Sequence, residues 1–241
     1  MGSKARSRWT CRWSESSTST PVPKPKRGFD RLVALVVLTH PHSDHISGLT
    51  EILERYQVRH VLEREFAHDT PQHADWRRAV GVESSVELLA RQGMTVTFDD
   101  GVTLEVLGPP KKLLSNTLSD IDNASVVLRV AYGKVGFLLA GDVFREGESL
   151  IANNDGRSSS QVLKVGHHGS RSSSSERFLN AVSPVLAVIS AGEDNRFDHP
   201  HVETLARLSD YVSAANIYVT SKHGSVEMVT NGETLTVKTE R

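Results

Sequence analysis

Residues 39–45 hold a dense group of side chains that bind metal ions in proteins. Three histidines and one aspartate, His40, His42, Asp44 and His45, fall within six positions. Imidazole nitrogens and carboxylate oxygens suit zinc, manganese or iron. In extended chain, His40 and His42 project to the same side, while Asp44 and His45 can serve a neighbouring position. A solvated histidine-rich turn is the alternative, and four candidate ligands at this spacing favour a metal site over it.

Two later segments place ligand-type residues at the ends of apolar runs. Asp142 follows the run Phe137–Ala140 through one glycine, and His167 and His168 follow the run that ends at Val165. A carboxylate at the edge of a sheet can bridge two metals, although a strand-ending Gly-Asp is more often a turn. Adjacent histidines usually point in different directions, so we expect one to bind metal and the other to contact substrate or support the ligands. A hydrogen-bonded core histidine is the alternative for this pair.

A fourth segment, residues 195–201, precedes a predicted helix. Asn195, His199 and His201 could cradle an anionic oxygen together with the N-terminus of that helix. A simple helix cap with solvated histidines is an equally good interpretation. The remaining histidines lack such neighbours and are interpreted as surface or packing residues: His60, His68, His73 and His223.

The hydrophobic pattern predicts how these residues are positioned. The continuous apolar run Leu32–Leu38 predicts a strand covered on both faces, and Ile46–Tyr56 has the spacing of an amphipathic helix. The histidine-rich loop therefore joins a strand to a helix. We expect residues 64–78 to form an irregular surface insertion and Val82–Gln92 to form a helix. Three hairpins are also predicted: Thr95–Phe98 with Val102–Leu107, Ser125–Ala131 with Lys134–Ala140, and Ser225–Val229 with Thr234–Lys238.

Composition fits a soluble globular protein with an uneven charge. The 241 residues carry a formal net charge of -1. Residues 1–31 contain eight basic and two acidic side chains, which leaves an acidic remainder that is a poor bare surface for nucleic acid unless bound cations offset it. We expect residues 1–28 to be a disordered basic tail rich in Ser and Pro, and 29–241 to form the folded domain.

Cysteine content and hydropathy indicate in which cellular compartment the protein is expected. Cys11 is the single cysteine, so no internal disulfide can form, which favours a reducing, cytoplasmic compartment and leaves an extracytoplasmic one open. The apolar run Leu32–Leu38 is far shorter than the about 20 residues that span a bilayer. We therefore expect no membrane segment, and the N-terminus does not resemble a secretory signal. The oligomeric state is left open.

The motif His40-x-His42-x-Asp44-His45 resembles the signature of the metallo-β-lactamase superfamily. Residues 123–143, 162–192 and 195–208 are similar to the hydrolase domain of ComEC-type competence, or DNA-uptake, proteins and their free-standing relatives. The resemblance covers about residues 30–240. It implies an α+β fold, the αββα sandwich, with a metal site at the sheet edges. It also implies hydrolysis of a phosphodiester substrate, with DNA as one candidate, by a hydroxide held between two metals.

The resemblance assigns roles residue by residue. It implies two divalent metal ions, zinc or manganese, held by His40, His42, Asp44, His45, Asp142 and His167, with Asp142 as the bridging carboxylate. Asp44, His168 and His199 are the implied catalytic residues. The implied substrate-binding residues are Ser170, Asn195 and His201. Asn123 stands where many superfamily members have a further histidine ligand, and the ComEC-like branch is similar to this chain in having asparagine there.

Two departures from the family pattern leave alternatives open. Strands carrying a "DVGQGD"-like motif normally precede the histidine-rich loop, and here they are missing. This departure leaves open an incomplete layer of the sandwich and a chain that is a fragment or the product of a wrong start site or a frameshift. The alternatives to a phosphodiesterase or nuclease are an ester or lactone hydrolase on the same site, and a truncated, non-catalytic metal-binding module. The chain also lacks the membrane channel portion, so we do not expect it to transport DNA.

Overall fold

The computed structural model describes residues 9–13, 32–66 and 68–241. The strands are β1 (Trp9–Trp13), β2 (Leu32–Leu38), β3 (Gln57–Glu63), β4 (Val86–Leu89), β5 (Thr95–Thr97), β6 (Thr103–Gly108), β7 (Val127–Tyr132), β8 (Val135–Leu139), β9 (Val162–Lys164), β10 (Leu186–Ile189), β11 (Ile217–Val219), β12 (Val226–Thr230) and β13 (Leu235–Thr239). The helices are α1 (Ser43–Arg55), α2 (Pro71–Glu83), α3 (Asp120–Asn123), α4 (Arg145–Ala152), α5 (Glu176–Val182), α6 (Val202–Ser209) and α7 (Thr220–His223), with 3-10 turns at Gly166–Gly169 and Ala214–Asn216.

The described strands form three sheets. The largest has seven strands in the order β11-β10-β9-β8-β7-β6-β5, and the others have the orders β2-β3-β4 and β1-β12-β13. Strands β8 to β11 run parallel, whereas β5 to β8 are joined by antiparallel pairings. The β5–β6, β7–β8 and β12–β13 pairs confirm the three predicted hairpins.

Four apolar clusters hold these elements in layers. Helices α1 and α2 pack on β2 and β3 through side chains such as Ile46, Leu53 and Trp76. The other side of the seven-stranded sheet packs on α4, α5 and α6. Between the sheets, β3 packs on β6 and β7, and β12 packs on β8 to β10. Because helices cover the outside of two facing sheets, the predicted αββα sandwich is confirmed.

Strand β8 shows why the central runs are continuously apolar. Val135 and Phe137 face the β12–β13 hairpin, while Leu138 and Ala140 face the helices on the opposite side. Successive side chains in a strand point to opposite faces, so a strand buried on both faces needs an unbroken apolar sequence. The same reasoning explains β9 and β10, and it brings the polar residues that follow these strands to one edge of the sheet.

The region between β3 and β5 differs from the sequence prediction. Residues 71–83 form α2 instead of an irregular insertion, and Val86–Leu89 forms β4, so the helix predicted at 82–92 is wrong. Thr70 caps α2 by accepting from the His73 backbone N–H, and Ser84, with φ of 58°, ends it. The apolar residues Val82 and Val86 have helical spacing, but both are exposed, at 80% and 55%. The helix instead buries Trp76, whose Nε1 donates to Glu63 Oε2 at 2.9 Å.

Strand β1 lies inside the segment for which the sequence predicts an unfolded tail. Its backbone pairs antiparallel with β12, from Trp9 opposite Thr230 to Trp13 opposite Val226. The other residues of that tail lie outside the described part of the chain. Among the described residues, no helix combines the length and hydropathy needed to cross a bilayer.

Candidate metal centre

Four segments bring metal-ligand side chains together at one edge of the sandwich. They are the loop after β2 with the first turn of α1, helix α3, the turn after β8 and the 3-10 turn after β9. Their candidate ligands form two groups, each with its ligand atoms within 4.8 Å of one another. The inner group consists of His40, His42 and Asp122, and the outer group consists of Asp44, His45, Asp142 and His168.

The inner group is centred on Asp122. Asp122 Oδ1 lies 3.1 Å from His42 Nδ1 and 3.6 Å from His40 Nε2. The side chain of His40 is fully buried and that of Asp122 is nearly so, whereas His42 is 39% exposed. Two imidazoles and one carboxylate form a donor set suited to a divalent ion such as zinc.

The outer group is centred on Asp142. Asp142 Oδ2 lies 3.3 Å from His45 Nε2 and 3.5 Å from His168 Nε2. Asp44 Oδ2 lies 3.2 Å from the same His168 nitrogen, and its side chain is 44% exposed. Asp142 Oδ2 is also 3.6 Å from His40 Nε2, so this carboxylate touches both groups. This position is the one expected of a carboxylate shared by two cations.

The electrostatics of the outer group show that it favours positive charge. Burial opposes ionisation of Asp142, yet the neighbouring His45 and His168 hold the pKa of that carboxyl well below its usual value. Burial likewise works against the charge on His168, but hydrogen bonds to Asp142 and Asp44 raise the pKa of His168 to about 9. A protonated imidazole therefore supplies here the positive charge that the two carboxylates require.

The inner group shows the opposite tendency at its buried histidine. Burial and the charge of His45 lower the pKa of His40 to about 3, so His40 is neutral at neutral pH. A neutral imidazole is the form that binds metal. A hydrogen bond to Asp122 raises the pKa of His42 above its ordinary value despite partial burial.

Buried polar atoms without partners test whether the site fits metal ions. Among the described residues, His40 Nε2 and Asp142 Oδ1 are buried and make no hydrogen bond. An unsatisfied buried polar atom costs about 1–3 kcal/mol. Cations bound in the two groups would give both atoms a partner, so the residues present fit a binuclear metal centre.

The turn at Gly141 and the hydroxyl groups of two nearby residues orient the candidate ligands. Gly141, with φ of 57°, turns the chain after β8, and a Cβ there would lie only 2.9 Å from Ser125 Cβ. Ser125 Oγ then accepts from the Asp142 backbone N–H at 3.2 Å. In the first loop, Thr39 Oγ1 contacts His40 Nδ1 at 3.1 Å and His45 Nδ1 at 3.3 Å. Such supporting contacts fix the orientation of ligand histidines.

The two histidines after β9 lie in different surroundings. Both residues have left-handed backbones, with φ of 46° and 52°. His168 joins the outer group and is held by Ser190 O, 2.8 Å from its Nδ1. His167, predicted as the ligand, lies outside both groups, contacts Ser172 Oγ through Nδ1 at 3.0 Å and stacks on Phe144.

Asp122 is the ligand-type residue that sequence reasoning missed. The resemblance pointed to the position of Asn123, where many superfamily members have a histidine ligand, but Asn123 Oδ1 accepts from the backbone N–H groups of Phe144 and Gly147, both at 3.1 Å. Asn123 therefore supports the start of α4, and the preceding aspartate enters the site. The signal was an acidic residue in a short helix directly before an apolar strand, which is too common to single out alone.

A cleft of about 950 Å³ opens over the outer group. It is lined by His42, Ser43, Asp44, Asp142, His167, His168, Ala191, Gly192, Glu193, Asn195, Arg196, Phe197 and His199. The cleft includes the predicted Asn195 and His199, but not Ser170 or His201. Ser170 is buried and its Oγ accepts from Ser172, while His201 Nδ1 accepts from the Arg171 backbone N–H at 3.1 Å.

The histidines interpreted as ordinary packing residues include one neighbour of the site. The ring of His68 lies 6.2 Å from that of His42, centroid to centroid, and His73 Nδ1 lies 2.8 Å from the His68 carbonyl oxygen. His60 and His223, in contrast, contact backbone groups elsewhere.

The fold and the site define the class of protein: the chain belongs to the metallo-beta-lactamase superfamily, whose family model matches residues 31–193. Among curated proteins, it is 30% identical over 203 residues to ComE operon protein 3 of Bacillus subtilis (strain 168), covering 83% of this chain and 25% of that protein. It is 46% identical over 102 residues to Competence protein ComA of Neisseria gonorrhoeae, covering 42% and 14%. Recombination protein 2 of Haemophilus influenzae is 31% identical over 180 residues, covering 74% and 20%.

The chain spans a quarter or less of the length of these curated relatives. Among solved structures, CmlA, a diiron beta-hydroxylase from Streptomyces venezuelae, has a TM-score of 0.54 at 13% identity and covers 79% of this chain and 44% of that one. At this identity the likeness shows the fold alone. The chain is thus a metallo-beta-lactamase fold related in sequence to competence proteins, with His and Asp groups suited to a binuclear metal centre.

Proposed function

We propose that the chain is a metal-dependent hydrolase of phosphodiesters, with DNA as the favoured substrate. The observation that carries this proposal is the convergence of seven ligand-type side chains in two groups, both of which Asp142 contacts, beneath an open cleft. An open cleft admits a phosphodiester with a substituent on each side of phosphorus. The names of the curated relatives, a competence protein and a recombination protein among them, favour DNA.

The two groups of donors would hold two divalent ions, zinc or manganese, one each, with Asp142 shared between them. When bound, such ions lower the pKa of water and stabilise negative charge on substrate oxygens. The remaining chemistry belongs to residues at the cleft. The predicted ligand role of His167 passes to His168 in this proposal, because His168 lies within the outer group.

Asp44 is the proposed proton acceptor. Burial would raise its pKa, but the hydrogen bond to His168 and the charge of His45 hold the pKa of Asp44 below its usual value, so this carboxylate is ionised at neutral pH. Its side chain is 44% exposed and lines the cleft, where it can accept a proton from the attacking water.

His199 is the proposed stabiliser of developing charge. Burial and the nearby His167 and His201 lower the pKa of His199 to about 4, so its neutral ring keeps one N–H to donate to a substrate oxygen. Asn195 holds the His199 backbone on both sides, since it donates to the carbonyl oxygen at 2.6 Å and accepts from the N–H at 3.0 Å. Asn195 thus positions His199.

The test compares substrates and variants in one panel. Metal-free protein is reconstituted with zinc or manganese, and hydrolysis of bis-p-nitrophenyl phosphate, single-stranded DNA and p-nitrophenyl acetate is measured. We expect metal-dependent cleavage of both diesters, which His42→Ala and Asp142→Ala abolish. His60→Ala, which changes a histidine that contacts Ala34 O outside the site, is the matched control and should retain activity. Unchanged turnover in both site variants, or an acyl ester rate more than about tenfold above the diester rates, would contradict the proposal.

A further inference from the structure

Three near-parallel rings lead from the outer group to the mouth of the cleft. His168 and His199 have ring centroids 6.3 Å apart and planes inclined by 14°, and His199 and Phe197 are 5.6 Å apart and inclined by 23°. His168 belongs to the outer group, and all three residues line the cleft. The series therefore connects the candidate metal centre to a ring at the surface.

Phe197 is the exposed end of this series. Its side chain is 57% exposed, although an aromatic ring is among the costliest groups to leave in water. The guanidinium carbon of Arg196 lies 4.6 Å from the centre of the ring. An exposed guanidinium that lies over an aromatic ring, both lining a cleft, forms a stacked surface that a nucleobase can extend.

The charges on the loop around Phe197 limit which interactions can bind a nucleic acid there. Glu193, Asp194 and Asp198 are exposed on the same loop, and Arg196 is its single basic residue. This acidic loop does not attract a polyanion by itself. Binding at this position must therefore come from stacking with a base, and the phosphate must be held elsewhere, at the candidate metal centre.

We propose that Phe197 and Arg196 form a stacking subsite for the base of a nucleotide close to the scissile phosphate, so that the substrate is single-stranded nucleic acid. This inference rests on the proposed phosphodiesterase function and adds a substrate class to it. In a duplex, each base is already stacked and paired, and a base can reach Phe197 only after it is unstacked at a cost of a few kcal/mol. The subsite therefore selects single strands or flexible ends.

The test measures binding separately from cleavage. The dissociation constants of a fluorescent phosphorothioate oligothymidylate, which resists hydrolysis, and of the same oligomer with abasic tetrahydrofuran residues are measured by anisotropy with the metal-loaded protein, so that the phosphate site is intact. We expect the wild-type protein to prefer the oligomer with bases by about tenfold, within the range for one base–aromatic stack. Phe197→Ala should remove this preference and Phe197→Trp should retain it. Val82→Ala, at an 80% exposed apolar residue on α2, is the matched control.

The outcomes separate the two proposals. An equal preference in the wild-type protein and in Phe197→Ala, or no preference in the wild-type protein, would overturn the stacking subsite. A preference that depends on Phe197, without metal-dependent cleavage of any diester, would support the subsite and contradict the phosphodiesterase proposal. Duplex cleaved as fast as single strands would also overturn the subsite, because paired bases do not reach the ring.

Discussion

The inner and outer groups of ligands differ in burial and in charge, although they share an edge of the sandwich. The inner group has two histidines and one carboxylate, and His40 and Asp122 are buried. The outer group has two carboxylates and two histidines, and its Asp44 is exposed to the cleft. A buried site with one carboxylate suits an ion that stays in place, whereas an open site with two carboxylates suits an ion that meets substrate.

Substitution of the shared carboxylate of Asp142 should have the largest effect, because it changes both groups of ligands. Asp142→Asn removes a negative charge that contacts His40, His45 and His168. We expect both ions to be lost and diester hydrolysis to fall by about a thousandfold or more, because each ion contributes several kcal/mol of charge stabilisation. Metal content by mass spectrometry and turnover are the measurements. Asp210→Asn, at an exposed residue after α6, is the control, and two ions retained by Asp142→Asn would refute the shared role.

Asp122 and its neighbour Asn123 distinguish a ligand from a structural residue. Asp122→Asn should weaken binding of one of the two ions by at least about 10- to 100-fold, the effect of losing even a supporting partner, and leave the unfolding free energy of the metal-free protein nearly unchanged. Asn123→Ala should leave two buried backbone N–H groups unpaired and lower that free energy by about 2–4 kcal/mol.

Metal titration and urea unfolding of the two variants check this contrast. The reverse pattern, with metal binding lost only in Asn123→Ala, would contradict the ligand role of Asp122.

The two adjacent histidines test which of them completes the outer group. His168→Ala should lower the metal content toward one ion per chain, because His168 contacts Asp44 and Asp142. His167→Ala removes a stack on Phe144 and a contact to Ser172, and should retain two ions with a modest loss of stability. Metal content and thermal unfolding of the purified variants distinguish the two. Loss of an ion in His167→Ala alone would restore the assignment that the sequence predicts.

The smallest expected effect concerns Glu148, whose carboxylate accepts from the backbone N–H groups of Ser174 and Ser175 and so holds the loop behind His167. Burial raises the pKa of Glu148 from 4.5 to about 7. The folded state thus keeps this proton to higher pH than the unfolded chain, so the contribution to stability is complete below pH 4.5 and is lost as the pH rises through about 7.

Glu148→Gln removes this titration. We expect the difference in unfolding free energy between wild type and Glu148→Gln to change between about pH 5 and about pH 8. The wild type should become less stable relative to the variant at the higher pH. Urea unfolding in EDTA at both pH values is the measurement, and Glu176→Gln, at an exposed residue of α5, is the control. A difference independent of pH would show that Glu148 does not titrate in this range.

The sequence predicted the site best where chemistry and topology coincide. His40, His42, Asp44 and His45 are dense enough to be recognised without any structure. Asp142 could be predicted because parallel buried strands have continuous apolar sequences and end at one edge of the sheet. The αββα layers follow from the same pattern, together with the resemblance to a known superfamily.

The sequence prediction failed where the same residue pattern is compatible with two different structures. Val82 and Val86 have helical spacing but lie on either side of a helix end, because Ser84 takes a left-handed backbone there. Asp122 and Asn123, or His167 and His168, are neighbours in sequence, and the pattern alone does not tell which member of each pair lies within a group of ligands. Phe197 gave no signal, because its significance lies in its exposure at the cleft.

The central claim is that two cations bind at this edge, one in each group of ligands. Anomalous diffraction from crystals of the protein loaded with zinc or manganese tests it most directly. We predict two peaks, one among His40, His42 and Asp122 and the other among Asp44, His45 and His168, with Asp142 between them. A map without peaks, or with a single peak outside both groups, would contradict the account.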